Sequence, residues 1–246
     1  MNELWNRAFG SMTRETDIRA VVVKSTVLAI LAAGSAAGYF HYLVFVVSAG
    51  VAPAGRDPLG FMTVELVLLA LVLFLSALIG FSFSARLDLP GFGKIREFLT
   101  ALPVLIVGGI VMVALSYVVF DRYYFTMAPI SFPRETVYLI AIPFKAALAD
   151  ETILRLGLVT IGVGLTKNKG AGVVLMSAVS TLFTVKYLEF IGMPFALDSF
   201  YVVYLLLSFL GNIMFGWLFV TRGLLYSMTL KFVIGCKYLL ILWLGA

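Results

Sequence analysis

The chain has 246 residues, 62% of them apolar and 13% charged, and a mean hydropathy of +1.06, whereas water-soluble domains are close to half apolar. That excludes a soluble globular protein, and at about 20 residues per crossing it leaves room for roughly seven or eight transmembrane helices and no separate soluble domain. The net charge of +5 is read as a marker of membrane topology, with no nucleic-acid partner. The single Cys236 and single His41 exclude an internal disulfide, a cysteine metal cluster and a histidine-rich metal or haem site, so no cofactor is expected.

Residues 1–24 are mixed polar and charged, without the short apolar core and small-residue cleavage site of a leader, and read as a cytoplasmic N-terminal segment. Residues 25–246 read as a single multi-pass membrane domain. Apolar runs predict helices at 25–52, 62–85, 99–120, 136–164, 171–190, 200–221 and 223–245, seven crossings of an all-α integral membrane protein. The breaks carry Pro53, Gly55 and Pro58, then Pro90, Gly91 and Gly93, then Pro129 and Pro133, then Lys167 through Gly170. Gly34 and Gly38 form a GxxxG spacing that permits close helix approach. Residues 87–103 place Lys94, Arg96 and Glu97 before the third helix, in a loop or a segment lying in the interface. Internal repeats of the kind seen in many transporters are not evident.

Ten Lys and Arg fall on the side of the N-terminal tail and three on the other, namely Arg56, Arg122 and Arg134. The excess of cations predicts an integral plasma-membrane protein with its N-terminus in the cytoplasm and its C-terminus outside.

Ionisable groups inside a bilayer cost about 2.5–3.5 kcal/mol each on insertion scales, so those within the predicted helices are the functional candidates. They are Lys145, Asp150, Glu151, Arg155, Lys186, Lys231 and Lys237. Glu151 and Arg155 are four apart on one helical face, suited to an intrahelical ion pair, and Asp150 points about 100° away. Lys186 is close enough to a helix end to snorkel, and Lys237 can reach outward at greater stretch. Lys231 lies about 12 Å into its helix and needs an anionic or carbonyl partner. With Asp150 and Glu151 taken as the only intramembrane carboxylates, an interhelical Lys231–Glu151 pair is expected.

The run ALADETILRLGLVT, residues 147–160, resembles the first signature of the CAAX protease and bacteriocin-processing (CPBP) membrane family, which the type II CAAX prenyl endopeptidases share: two adjacent acids, three residues, then Arg. Here these are Asp150, Glu151 and Arg155. STLFTVKYL at 180–188 resembles the second signature, a Phe followed four residues later by His, and GNIMFGWLFVTRGLLYSMTLKFVIG at 211–235 resembles the Gly-rich helix, basic turn and final helix. IGFSFSARLDLPG at 79–91 is similar to an early segment of the family, so the likeness spans about residues 79–240. It implies a CPBP-like bundle in which the second acid serves as general base on water and two His with an Asn or Asp complete the hydrolytic and oxyanion-stabilising site.

This chain departs from that pattern at three positions: Tyr187 stands at the first His, Lys231 at the second, and Gly235 at the Asn or Asp. A lysine ammonium beside Glu151 would hold the carboxylate charged and fill the place of the water. The expectation is therefore a catalytically inactive CPBP-like protein, a structural or regulatory subunit of a membrane complex. Its partners are the bilayer and other membrane proteins in a hetero-oligomer, with a lipid or prenyl group as candidate occupant of the cavity. The alternative is an intramembrane endopeptidase using Glu151, with Tyr187 and Lys231 in altered roles. A retinal protein is disfavoured, because no Asp lies deep in the third helix and Ser227 precedes Lys231 by four. A transporter using Lys145, Asp150 and Glu151 is disfavoured by the missing repeat.

Overall fold

A computed structural model describes residues 18–42, 44–45, 57–127, 135–190 and 198–239. Among these the chain is all-helical with no strand. Five helical stretches are long and apolar enough to cross a membrane: Ile18–Tyr42, Pro58–Leu87, Ile95–Tyr124, Lys169–Glu189 and Ser199–Arg222. Among the described residues, two of the seven expected crossings do not reach that standard. One is the charged helix at 136–166, and the other is the last, whose α-helix closes at Gly235 after 12 residues. Residues 46–52 and 240–245, assigned to the first and last predicted helices, lie outside the described residues, as do the breaks at Pro53, Gly55, Pro129 and Pro133.

The α-helices are α1 (Ile18–Tyr42), α2 (Pro58–Ser84), α3 (Ile95–Ser116), α4 (Arg122–Met127), α5 (Thr136–Lys145), α6 (Thr160–Thr166), α7 (Lys169–Phe190), α8 (Ser199–Arg222) and α9 (Leu224–Gly235). Wider π-helical turns join several of them: Tyr117–Asp121 links α3 to α4, and Ala146–Asp150 with Thr152–Val159 carries α5 into α6. Helix starts follow local chemistry. Asp57 accepts hydrogen bonds from the amides of Leu59 (3.1 Å) and Gly60 (3.0 Å) ahead of Pro58 at the first helical position, so Pro58 begins α2 where the sequence suggested a break. α1 is already helical at Ile18, ahead of the predicted 25, and α3 starts at Ile95, which reduces the loop expected over 87–103 to a short turn.

The helix at 136–166 is the centre of the bundle. α1 and α2 pack together on one of its sides, α7 and α9 on another, and α8 lies against α7 and α9. Small residues permit this. Ala29, Ala32 and Ala36 of α1 meet Leu73 and Ala149, and at Gly80 a Cβ would come within 2.1 Å of the Leu156 side chain. In a bilayer such close fit, rather than escape from water, drives helix association. Of the GxxxG pair, Gly38 packs against Ala141 while Gly34 has nothing within 4 Å. The outward faces carry Val64, Val67, Leu71, Val107, Val111 and Leu206, all more than half exposed, a surface suited to hydrocarbon and unfavourable in water.

The turns after α2, α6 and α8 gather at one end. Lys169 Nζ pairs with Asp88 Oδ2 at 2.8 Å, and this bond holds the Asp88 carboxyl below its ordinary range. The amides of Leu224 and Leu225 donate to the carbonyls of Gly91 (2.9 Å) and Phe92 (3.1 Å), satisfying two of the free N–H groups that open α9. Gly93 and Gly223 have φ of +95° and +105°, and a Cβ on Gly223 would fall 2.6 Å from the Gly93 Cα. Arg86, Lys94, Arg96, Lys167, Lys169 and Arg222, six of the ten cations counted on the side of the N-terminal tail, thus lie in or beside turns that join at one end.

Candidate functional site

A cavity of about 460 Å³ opens among α1, α5, α7, α8 and α9, in the half of the bundle away from that basic end. Of the six positions of the CPBP-like pattern it brings together four, Asp150, Tyr187, Lys231 and Gly235, and Lys145 and Lys237 line it as well. The other two, Glu151 and Arg155, do not. Both are completely buried, in the helix wall behind the cavity.

The wall has a simple cause. In an α-helix residues five apart diverge by about 140°, yet Lys145 Nζ reaches Asp150 Oδ1 at 2.8 Å and Oδ2 at 3.0 Å. The π turns of Ala146–Asp150 make this pairing, because a wider turn stacks residue i over i+5. Asp150 therefore faces the cavity already neutralised, and the Lys145 ammonium also lies 5.1 Å from the Tyr39 ring centre. The Tyr39 hydroxyl is in turn 3.0 Å from that of Tyr187. The same device recurs at Tyr117–Asp121, where Ser116 Oγ donates to Asp121 Oδ2 at 2.6 Å across five residues.

Glu151 and Arg155 form the expected intrahelical pair, Nε to Oε2 at 3.2 Å. Arg155 Nη2 donates to Asn212 Oδ1 at 2.7 Å, and its guanidinium lies 5.7 Å from the centre of the Phe215 ring. Glu151 Oε1 and Arg155 Nη1 are buried and have no hydrogen-bond partner among the described residues.

Lys231 corrects the expectation built on it. No carboxylate of the described residues lies within 4.0 Å of its ammonium, so the predicted Lys231–Glu151 pair is absent; the ammonium instead stands 4.8 Å from the centre of the Phe215 ring. Glu151 is turned toward Arg155, its helical neighbour, and a pair on one helix forms without the cost of ordering two elements. Nor is the cavity closed by an ion pair; it is open. Lys237 is a second correction. Instead of reaching outward it binds Asp121 Oδ1 at 2.7 Å, a carboxylate only 4% exposed. Asp121 had been left out of the intramembrane acids because it falls just past the predicted end of the third helix, whereas the helix continues through it. Lys186 behaves as anticipated, 76% exposed and paired with Glu189 at 2.7 Å.

Gly235 is held at glycine by packing. A Cβ there would sit 2.9 Å from the Pro143 Cα, so α9 and α5 touch backbone to backbone and no Asn or Asp side chain fits without moving a helix. Beyond Tyr187, the far wall is an aromatic stack of Phe120, Tyr124, Phe200 and Tyr204 with ring centres 5.0–6.2 Å apart. This cluster is not singled out from sequence; its sequence signal is the i,i+4 spacing of Phe120 with Tyr124 and of Phe200 with Tyr204. Among the described residues no three His, Cys, Asp or Glu side chains converge into a metal-binding group.

The chain matches no protein-family model, no curated protein and no solved structure.

Proposed function

We propose that this chain is a non-catalytic, CPBP-like integral membrane protein of the plasma membrane, with its N-terminus in the cytoplasm, that serves as a structural or regulatory subunit of a membrane complex. The observation that carries the non-catalytic reading is the placement of its two acids. A general base must reach the water it activates within about 2.6–3.2 Å, but Glu151 is sealed outside the cavity and held by Arg155, while the cavity-facing Asp150 is clasped by Lys145. The subunit role is supported by the extensive apolar outer faces, which suit helices of other membrane proteins as well as lipid.

The test is extraction from the native membrane in mild detergent, with the associated chains identified and counted by mass spectrometry, alongside a peptide-cleavage assay of the wild type and Glu151→Gln. Partners in fixed ratio, with no cleavage above the Glu151→Gln background, are expected. Cleavage abolished by Glu151→Gln would overturn the reading in favour of the endopeptidase, for which the one favouring observation is that Oε1 of Glu151 has no partner among the described residues and is where a water would have to bind.

A further inference from the structure

Charge within the cavity and its wall does not balance. Lys145 is paired with Asp150, Arg155 with Glu151 and Lys237 with Asp121. Lys231 lines the same cavity with its ammonium over the face of Phe215; Asp150 and Glu151 attract it only from beyond contact distance, each already paired with another cation. The acids outside the described residues are Glu3, Glu15 and Asp17, which precede α1. α1 runs antiparallel to α2, with Leu28 in the cluster that holds Ala77 and Ala36 in the one that holds Leu73, so its start lies at the basic end, away from the cavity.

A second donor faces the same cavity. Asn212 also lines the cavity, and its Oδ1 is fixed by the Arg155 guanidinium, which leaves the NH2 of the amide as a donor. Phe215, one helical turn further along α8, carries the Lys231 ammonium on its face. The lining is mixed: Ser180, Thr184 and Ser208 contribute hydroxyls, and the apolar part of the wall is formed by Ile142, Leu154, Ile234 and Phe183. Phe183 is 56% exposed and next to the outward-facing Leu182, so the rim of the cavity there meets the lipid-facing surface of α7. The volume of about 460 Å³ falls within the range of about 300–1,000 Å³ of small-molecule sites, far more than an inorganic anion occupies.

We propose that this cavity binds an amphipathic anion, a lipid-borne phosphate or carboxylate whose head is held by Lys231 Nζ and the Asn212 amide and whose hydrocarbon lies against Ile142, Leu154, Ile234 and Phe183. Such a ligand supplies the missing negative charge at Lys231 and enters past Phe183 from the bilayer. The inference rests on the non-catalytic reading, in which the cavity serves binding alone.

The test uses the full chain in a non-ionic detergent, with binding followed by native mass spectrometry during titration with dioleoyl phosphatidate, oleate, dioleoylglycerol or inorganic phosphate. One phosphatidate or oleate per chain is expected, with dioleoylglycerol failing to bind. Lys231→Met should weaken binding by about tenfold or more, the equivalent of one charged hydrogen bond. Lys231→Arg, which keeps the charge, should bind within about threefold of wild type, as should Lys186→Met at the exposed lysine. If Lys231→Met fails to fold, judged by far-UV circular dichroism and elution volume, Asn212→Leu replaces it, with weakened phosphatidate binding expected. Binding undiminished in whichever of these is used, or equal retention of dioleoylglycerol, overturns the proposal. Inorganic phosphate competing as well as phosphatidate overturns its amphipathic half. Absence of binding together with absence of cleavage refutes this inference alone, whereas binding retained alongside Glu151-dependent cleavage refutes the non-catalytic reading alone.

Discussion

Replacing Glu151 by Gln should destabilise the protein by about 3 kcal/mol, toward the lower end of the roughly 3–5 kcal/mol lost when one partner of a buried pair is removed. At an effective dielectric of about 20, two charges at the 3.2 Å separation of Glu151 and Arg155 attract by about 5 kcal/mol. Gln keeps an acceptor for Arg155 Nε, and Asn212 Oδ1 at 2.7 Å still receives Nη2, so part of that attraction survives. For a chain of this size the loss corresponds to a fall in thermal midpoint of about 6–12 °C, at about 2–4 °C per kcal/mol. The assay is reversible unfolding in mixed micelles on wild type, Glu151→Gln, Arg155→Gln and the double variant. Because each single change strands the other member, the double variant should lose less than the sum, with a coupling of about 2–3 kcal/mol. Lys231→Met should leave this coupling intact, since its ammonium is not bound to Glu151. A coupling below about 0.5 kcal/mol, or one that vanishes with Lys231, would refute the assignment of Arg155 as the counter-charge.

Three further outcomes follow from the same geometry. Gly223→Ala should cost more than about 1 kcal/mol, from its left-handed φ and from contact with Gly93; an unchanged thermal midpoint would show that the joint between the turn at 91–93 and α9 is not tight. Lys237→Met strands the 4% exposed Asp121 and should destabilise by about 3 kcal/mol, while Lys186→Met, 76% exposed, should stay within about 0.5 kcal/mol of wild type; chemical unfolding in micelles compares them directly. In a chain with Cys236 replaced by Ala, cysteines introduced at Glu97 and Lys167 should react with a membrane-impermeant maleimide only from the cytoplasmic side, and those at Asp57 and Asp198 only from outside; the reverse pattern would invert the topology.

Hydropathy and charge placement alone determined that this is an all-helical chain with several stretches able to cross a membrane, because an apolar run of about 20 residues has few other stable states in lipid. The i,i+4 spacing likewise determined the Glu151–Arg155 pair, since it depends on one helix and nothing beyond it. Helix starts such as Asp57–Pro58 were present in the sequence as capping chemistry, although the hydropathy pattern placed them late. The tertiary structure decided the rest. Lys145 meets Asp150, and Ser116 meets Asp121, only because wide turns change the helical period, and no residue pattern in those stretches announces that change. Lys237 finds Asp121 across 116 positions of sequence, while Lys231 faces Phe215 with no carboxylate of the described residues in contact. Which side of its helix each charge occupies, and whether another helix brings it a partner, depends on the rotation and register of packed helices. Those are set by contacts such as Gly80 against Leu156 and Gly235 against Pro143, and close fit of this kind arises only when the whole bundle assembles.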